Sequence, residues 1–143
     1  MDWTQFKKGV FVVNLLGIIY NPQTKMILIG KRVNDTNLKS LSWVFPGGRP
    51  DYEKELEDNL QYEVKENTGL DVTVGSVVFS KTYPELREFL SVYYYCEPKS
   101  LDDKAEPSGN LEELKWIKPT EIIDYFTTSI HPKIMEYLES LEE

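Results

Sequence analysis

Two glutamates three residues apart, Glu63 and Glu66, stand in an acid-rich run that follows a Pro46-Gly47-Gly48 turn and stops at Thr68-Gly69. Read as a helix over residues 55–67, the run turns Leu56, Leu60 and Val64 into one apolar stripe that should face a sheet. Glu63 then falls at the edge of the stripe, Glu66 lies one turn on along the same side, and Asn67 sits between them near the helix end. A partly buried carboxylate is costly unless partnered. A divalent cation held by both glutamates would be such a partner, because residues three apart are neighbours on a helix and hard cations take oxygen ligands. The Gly47-Gly48 turn would let the backbone approach a ligand without interference from Cβ. Glu57, Asp58 and Lys65 fall away from the stripe and read as a solvated face. Two glutamates at this spacing are more often plain surface charge, and Pro-Gly-Gly is an ordinary turn, so the local pattern leaves both readings open.

The surrounding chain must position this segment. Gly9 to Tyr20 is rich in β-branched residues and predicts a buried strand; a turn at "NPQTK" leads to a second strand, "MILIGKR", completing a hairpin. A polar loop over 33–42 precedes a short strand, "WVF". Beyond Gly69, a good helix stop, "VTVGSVVFSKTY" and "EFLSVYYYCEP" predict two antiparallel neighbours, and "LEELKWI" a last strand. Pro119 opens a helix start, and the segment from His131 has amphipathic helical spacing. Strands, one helix, strands and then helices predict an α/β fold with a mixed β-sheet and helices packed on it.

Composition narrows the functions. The 143 residues suit one domain spanning 1–143. A net charge of -8 argues against non-specific nucleic-acid binding, and fits an anionic substrate only where a metal or local basic patch offsets repulsion. The single cysteine, Cys96, forms no internal disulfide, and with His131 the one histidine there is no Cys/His cluster for zinc. The first residues lack the apolar core of a signal peptide and no stretch is long enough to span a membrane. The expectation is a cytoplasmic protein.

Taken whole, Phe45 to Leu70 resembles the Nudix box, G-x5-E-x7-R-E-U-x-E-E-x-G-U with U aliphatic. Gly48 takes the first glycine, Glu63 the glutamate after the arginine, Val64 the aliphatic position and Glu66 the first of the paired glutamates, while Gly69 and Leu70 close the box. "GIIYNPQTKMILIGKR", "SWVFPGG" and "EELKWIKPTEI" are similar to the flanking segments of the MutT-like Nudix hydrolases, so the resemblance runs from about Val10 to Ile123. Three charged positions depart from it: Lys54 stands for the first glutamate, Tyr62 for the arginine and Asn67 for the last glutamate.

The resemblance implies an α/β/α sandwich that hydrolyses a nucleoside diphosphate linked to another group, with water as nucleophile and Mg²⁺, or Mn²⁺, held by box glutamates. Carried over to this chain, it implies Glu63, Glu66 and Asn67 as metal ligands, with Glu113 (or Glu112) adding a late carboxylate, and Gly47, Gly48, Arg49 and Lys54 at the substrate. Glu53 and Glu55 flank Lys54 and stand close to the missing glutamate's place. A narrower similarity of "LIGKRVN" and "SWVFPGGRP" to GDP-mannose mannosyl hydrolases implies that Arg32 assists the leaving diphosphate; a solvated strand end is the plain alternative for Arg32, Lys31 and Arg49. The expected partner is a small-molecule nucleotide, with neither nucleic acid nor membrane and with a homodimer allowed. Lys54, Tyr62 and Asn67 support a second class, a binding module for a nucleotide-like ligand or a protein without turnover. In the strand "EFLSVYYYCEP", Phe89, Ser91, Tyr93 and Tyr95 share one face, and Leu90, Val92, Tyr94 and Cys96 the other; sheet packing is their expected role, base stacking the alternative.

Overall fold

The computed structural model of the chain describes residues 8–33, 42–127 and 129–143. The β-branched run forms β1 (Val12–Asn21), which turns back as β2 (Met26–Arg32). Asn21 builds the turn, its side-chain oxygen accepting from the Gln23 N–H at 2.9 Å and the Thr24 N–H at 3.3 Å. After the loop, of which residues 34–41 lie outside the described residues, come β3 (Trp43–Val44) and β4 (Gly47–Gly48). Then follow α1 (Leu56–Thr68), β5 (Val72–Thr82), β6 (Phe89–Pro98) and β7 (Leu111–Ile117). The segment from Pro119 is a 3-10 helix ending at Asp124, and α2 (Pro132–Leu141) closes the fold.

The strands make a mixed sheet in the order β3-β2-β1-β6-β5, with β4 also on β1 and β7 also on β2. β1 and β6 are parallel, and β5 is antiparallel to β6 as expected. β1 changes partner along its length: Tyr20 and Asn21 pair with β2, whereas Leu15 and Leu16 pair with Gly48 and Gly47. The sheet therefore opens where the glycine turn enters it.

Each face has its own core, so helices cover both sides. Leu60 and Val64 of α1 pack with Leu15, Ile19, Leu28, Tyr94 and Cys96 on one face. Ile134 and Leu138 of α2, with Ile122, pack on Ile18, Ile29, Phe45 and Tyr93 on the other. The expected two faces of β6 are thus the observed ones. Truncating the fully buried Leu60 to alanine would cost about 2–5 kcal/mol through lost contacts and a cavity. Leu56 departs from the expected stripe: it is 45% exposed, because the first turn of α1 is not covered by the sheet.

Candidate active site

The glycine turn and α1 meet over β1. Gly47 sits so close to β1 that a Cβ on it would lie 1.9 Å from the Leu15 carbonyl oxygen, so only glycine allows this pairing. A Cβ on Gly48 would lie 2.6 Å from Oε2 of Glu63, so the Glu63 carboxylate occupies the space a side chain would fill. α1 keeps its length by ending at Gly69, whose left-handed φ of 74° lets its N–H bond to the Lys65 carbonyl. Its start is clipped by the buried Asn59. The Asn59 Nδ2 donates to the carbonyls of Lys54 and Glu55, both at 3.1 Å, and its Oδ1 accepts from the Asp51 N–H at 3.1 Å. That clip holds the loop carrying Lys54.

Glu63 is half-buried, and its carboxyl is held above the usual carboxylate range, first by burial, then by the charge of Glu66; Lys54 pulls it back in part. Glu66 is exposed. Asn67 is buried and donates from Nδ2 to the Gly47 carbonyl at 2.9 Å. Its backbone carbonyl accepts from the Ser108 N–H at 3.1 Å, so the loop before β7 docks on the end of α1.

A cleft of about 820 Å³ opens beside these groups. Of the residues expected from the sequence, Arg32, Gly47, Gly48, Arg49, Glu63 and Asn67 line it. Glu66 does not line it but stands close enough to Glu63 to raise its pKa. Lys54 lies outside the lining, with its ammonium 3.5 Å from Asp51 and over the Tyr62 ring, while still acting on Glu63 by charge. Glu53 and Glu55 are exposed and outside the lining too.

Glu113 is not brought to this group. It lies within β7 opposite Lys31, and Leu114 and Trp116 take the α1 face, so alternation turns Glu113 to the other side. Glu112 is 3.9 Å from Lys31 in an exposed ion pair. Among the described residues no cluster of three or more His, Cys, Asp or Glu is gathered for a metal. The residues that could hold a hard cation are therefore two carboxylates, Glu63 and Glu66, while the Asn67 amide oxygen lies on the Gly109 side, 3.0 Å from where a Cβ there would stand. Both carboxylates offer oxygen ligands, and the burial and mutual repulsion that raise Glu63 are what a divalent cation would relieve.

The opposite wall carries Lys81, Tyr83, Glu85 and Ser129, which the sequence pattern does not mark, together with Phe89, Ser91 and Tyr93 from the expected strand face. The Lys81 ammonium donates to the Ser129 carbonyl at 2.9 Å and sits 4.2 Å from the centroid of the Tyr83 ring. Glu85 accepts from the Ser129 N–H at 3.2 Å and from its hydroxyl. His131 caps α2, its Nδ1 accepting from the Lys133 N–H at 3.1 Å. The signal that could have flagged Lys81 is one cation at an alternating, inward position of a strand.

Comparison with known proteins agrees with the fold. The family model described as NUDIX domain matches residues 10–138. No curated protein matches the chain. A MutT protein from Methanosarcina mazei superposes with a TM-score of 0.72 at 18% identity, covering 94% of this chain and 96% of that one. An ADP-ribose pyrophosphatase from Streptococcus suis gives 0.66 at 20%, covering 92% of each. A bifunctional NMN adenylyltransferase/ADP-ribose pyrophosphatase from Francisella tularensis, complexed with AMP and a Mn ion, gives 0.71 at 17%, covering 96% of this chain and 44% of that one. The narrower likeness to GDP-mannose mannosyl hydrolases finds no support among these relatives. No helix among the described residues is long and apolar enough to cross a membrane.

Proposed function

The chain belongs to the NUDIX domain family and is a Nudix hydrolase; from that premise we propose that it cleaves a nucleoside diphosphate linked to another group, using water and a divalent cation held by Glu63 and Glu66. The observation that carries the reading is the Glu63 carboxylate, packed into the space left by Gly48 at the cleft wall, with its charge disfavoured by burial and by Glu66.

Mg²⁺ is the cation proposed, with Mn²⁺ able to replace it; the likeness to a relative complexed with Mn supports a divalent metal. The cation, when bound, neutralises diphosphate charge and acidifies water. The chain's own groups do the rest. Arg32 and Arg49 bring positive charge to the cleft, where the diphosphate of an anionic substrate meets a chain of net charge -8. Gly47 lets the turn lie against β1, and Gly48 leaves the space that the Glu63 carboxylate fills at the cleft wall. Lys54, through its charge, favours the ionised form of Glu63, the form that binds metal. In the reaction the water oxygen bonds to phosphorus, the bridging P–O bond breaks, and the proton released leaves with the products.

The test is hydrolysis of nucleoside triphosphates, nucleotide sugars and dinucleotides with Mg²⁺ or Mn²⁺, run beside Glu63→Gln and Glu66→Gln. Metal-dependent turnover that collapses in both variants is expected. Turnover in neither wild type nor variants would overturn the proposal and leave the fold as a binding module, the class that Lys54, Tyr62 and Asn67 suggest.

A further inference from the structure

The register of the sheet sets two ends of the cleft apart. Gly47 pairs with Leu16, Leu16 with Tyr93, and Tyr93 with Phe79, three strand spacings in a row. Lys81 stands two residues beyond Phe79, opposite Ser91, which in turn pairs with Asn14. At about 4.8 Å per strand and about 3.3 Å per residue, the Lys81 backbone lies roughly 16 Å from that of Gly47. One diphosphate group does not bridge that distance, yet both residues line one cleft.

The far end is built around a cation. Lys81 is half-buried, and burial pulls its ammonium below the usual lysine range, with Glu85 offsetting this in part. An ammonium has three donors, and the Ser129 carbonyl takes one. Glu85 turns the same oxygen, Oε1, to both the N–H and the hydroxyl of Ser129. The Tyr83 ring that the ammonium covers carries a hydroxyl that meets Ser91 at 2.9 Å and Tyr93 at 3.2 Å. Three cations, Arg32, Arg49 and Lys81, line the cleft against the carboxylates of Glu63 and Glu85, in a chain of net charge -8.

We infer that the Lys81 end of the cleft is a second anion subsite, which takes a carboxylate or phosphate carried by the group attached to the diphosphate. The inference rests on the reading that the Gly47–Gly48 end holds the diphosphate. The substrate class is then a nucleoside diphosphate whose far end is itself anionic, with the ammonium and the Tyr83 hydroxyl donating to that end.

Two pairs of probes isolate the extra charge. UDP-glucuronate differs from UDP-glucose by a carboxylate, and NADPH from NADH by a phosphate. With Mg²⁺, the wild type should show a KM about tenfold lower for at least one charged member than for its neutral counterpart, the size of one charge-assisted hydrogen bond. Lys81→Met should erase that preference and Lys81→Arg retain it; which pair responds tells carboxylate from phosphate. Titration calorimetry on Glu63→Gln reads the same preference as binding, without turnover. A chain that binds with preference but turns nothing over sinks the hydrolase reading and keeps the subsite. Equal affinities within both pairs, including no measurable binding of any member, overturn the subsite. So does a preference that Lys81→Met leaves intact. Lys81 would then be only a latch on Ser129.

Discussion

The Lys54 ammonium lies 4.7 Å from the centroid of the Tyr62 ring, so two of the three positions at which the chain departs from the Nudix box touch each other. Where the box has Glu, Arg and Glu, summing to -1, this chain has Lys, Tyr and Asn, summing to +1. Lys54 and Tyr62 meet in a cation–π contact, and the Lys54 charge beside Glu63 is positive. On the proposed function, that charge would weaken the hold on a cation and favour phosphate, by electrostatics alone.

That contact is open to a double-mutant cycle. Lys54→Ala and Tyr62→Ala should each destabilise the chain slightly in urea, with a coupling of about 0.5–1 kcal/mol. Additive effects would mean the two side chains merely lie near each other.

The two glycines of the turn should fail differently. In Gly47→Ala the new Cβ meets backbone, 1.9 Å from the Leu15 oxygen, so the chain should lose at least about 2 kcal/mol of stability. In Gly48→Ala it meets the end of a flexible side chain, 2.6 Å from Oε2 of Glu63. That variant should fold with a near-native melting temperature and lose metal-dependent hydrolysis. Circular dichroism beside an activity assay separates the two; an active Gly48→Ala would show that the position of the Glu63 carboxylate is unimportant.

Glu63 links pH, metal and stability. Its folded pKa is raised, first by burial and then by Glu66, so folding favours the protonated form. Its contribution is fully present below the unfolded pKa and is lost as pH rises through the raised folded value. Without divalent metal, Glu63→Gln should therefore melt higher than wild type at pH 7, with the difference vanishing on acidification below the usual carboxylate range. Adding Mn²⁺ should raise the melting temperature of the wild type and not of the variant. Thermal shift across pH 4–8, with and without metal, checks both; a variant that melts lower at pH 7 would contradict the direction.

Asn67 is tied to the fold by a bond that a carboxylate cannot make. Its Nδ2 donates to the Gly47 carbonyl, and its Oδ1 would lie 3.0 Å from a Cβ on Gly109. Asn67→Asp places an acceptor against an acceptor and should cost about 1–3 kcal/mol in the metal-free chain. The added charge should in turn make the melting temperature respond more strongly to Mn²⁺. An Asn67→Asp chain as stable as wild type without metal would show the amide bond carries little.

Much of this was legible along the chain because it is local. β-branched runs marked the hairpin, Gly69 marked the end of α1, and the spacing of Leu60 and Val64 chose the face that packs on the sheet. The same spacing set Glu63 at the border of that face, where burial acts on its charge. Periodicity reports a face, however, not how far the sheet extends beneath it, so Leu56 shares the apolar stripe and yet lies exposed. Nor does a strand read alone say which of its sides meets which helix, and the packing of Leu114 and Trp116 on the α1 side is what turns Glu113 away from α1. The far wall of the cleft was hidden for the same reason. Lys81, Ser91 and Asn14 become a row only because β1 and β6 pair in parallel, an alignment of distant segments set by packing both faces of the sheet. The sequence by itself determined the elements and the carboxylates on one helix; the tertiary structure decided which distant cations and hydroxyls those carboxylates face.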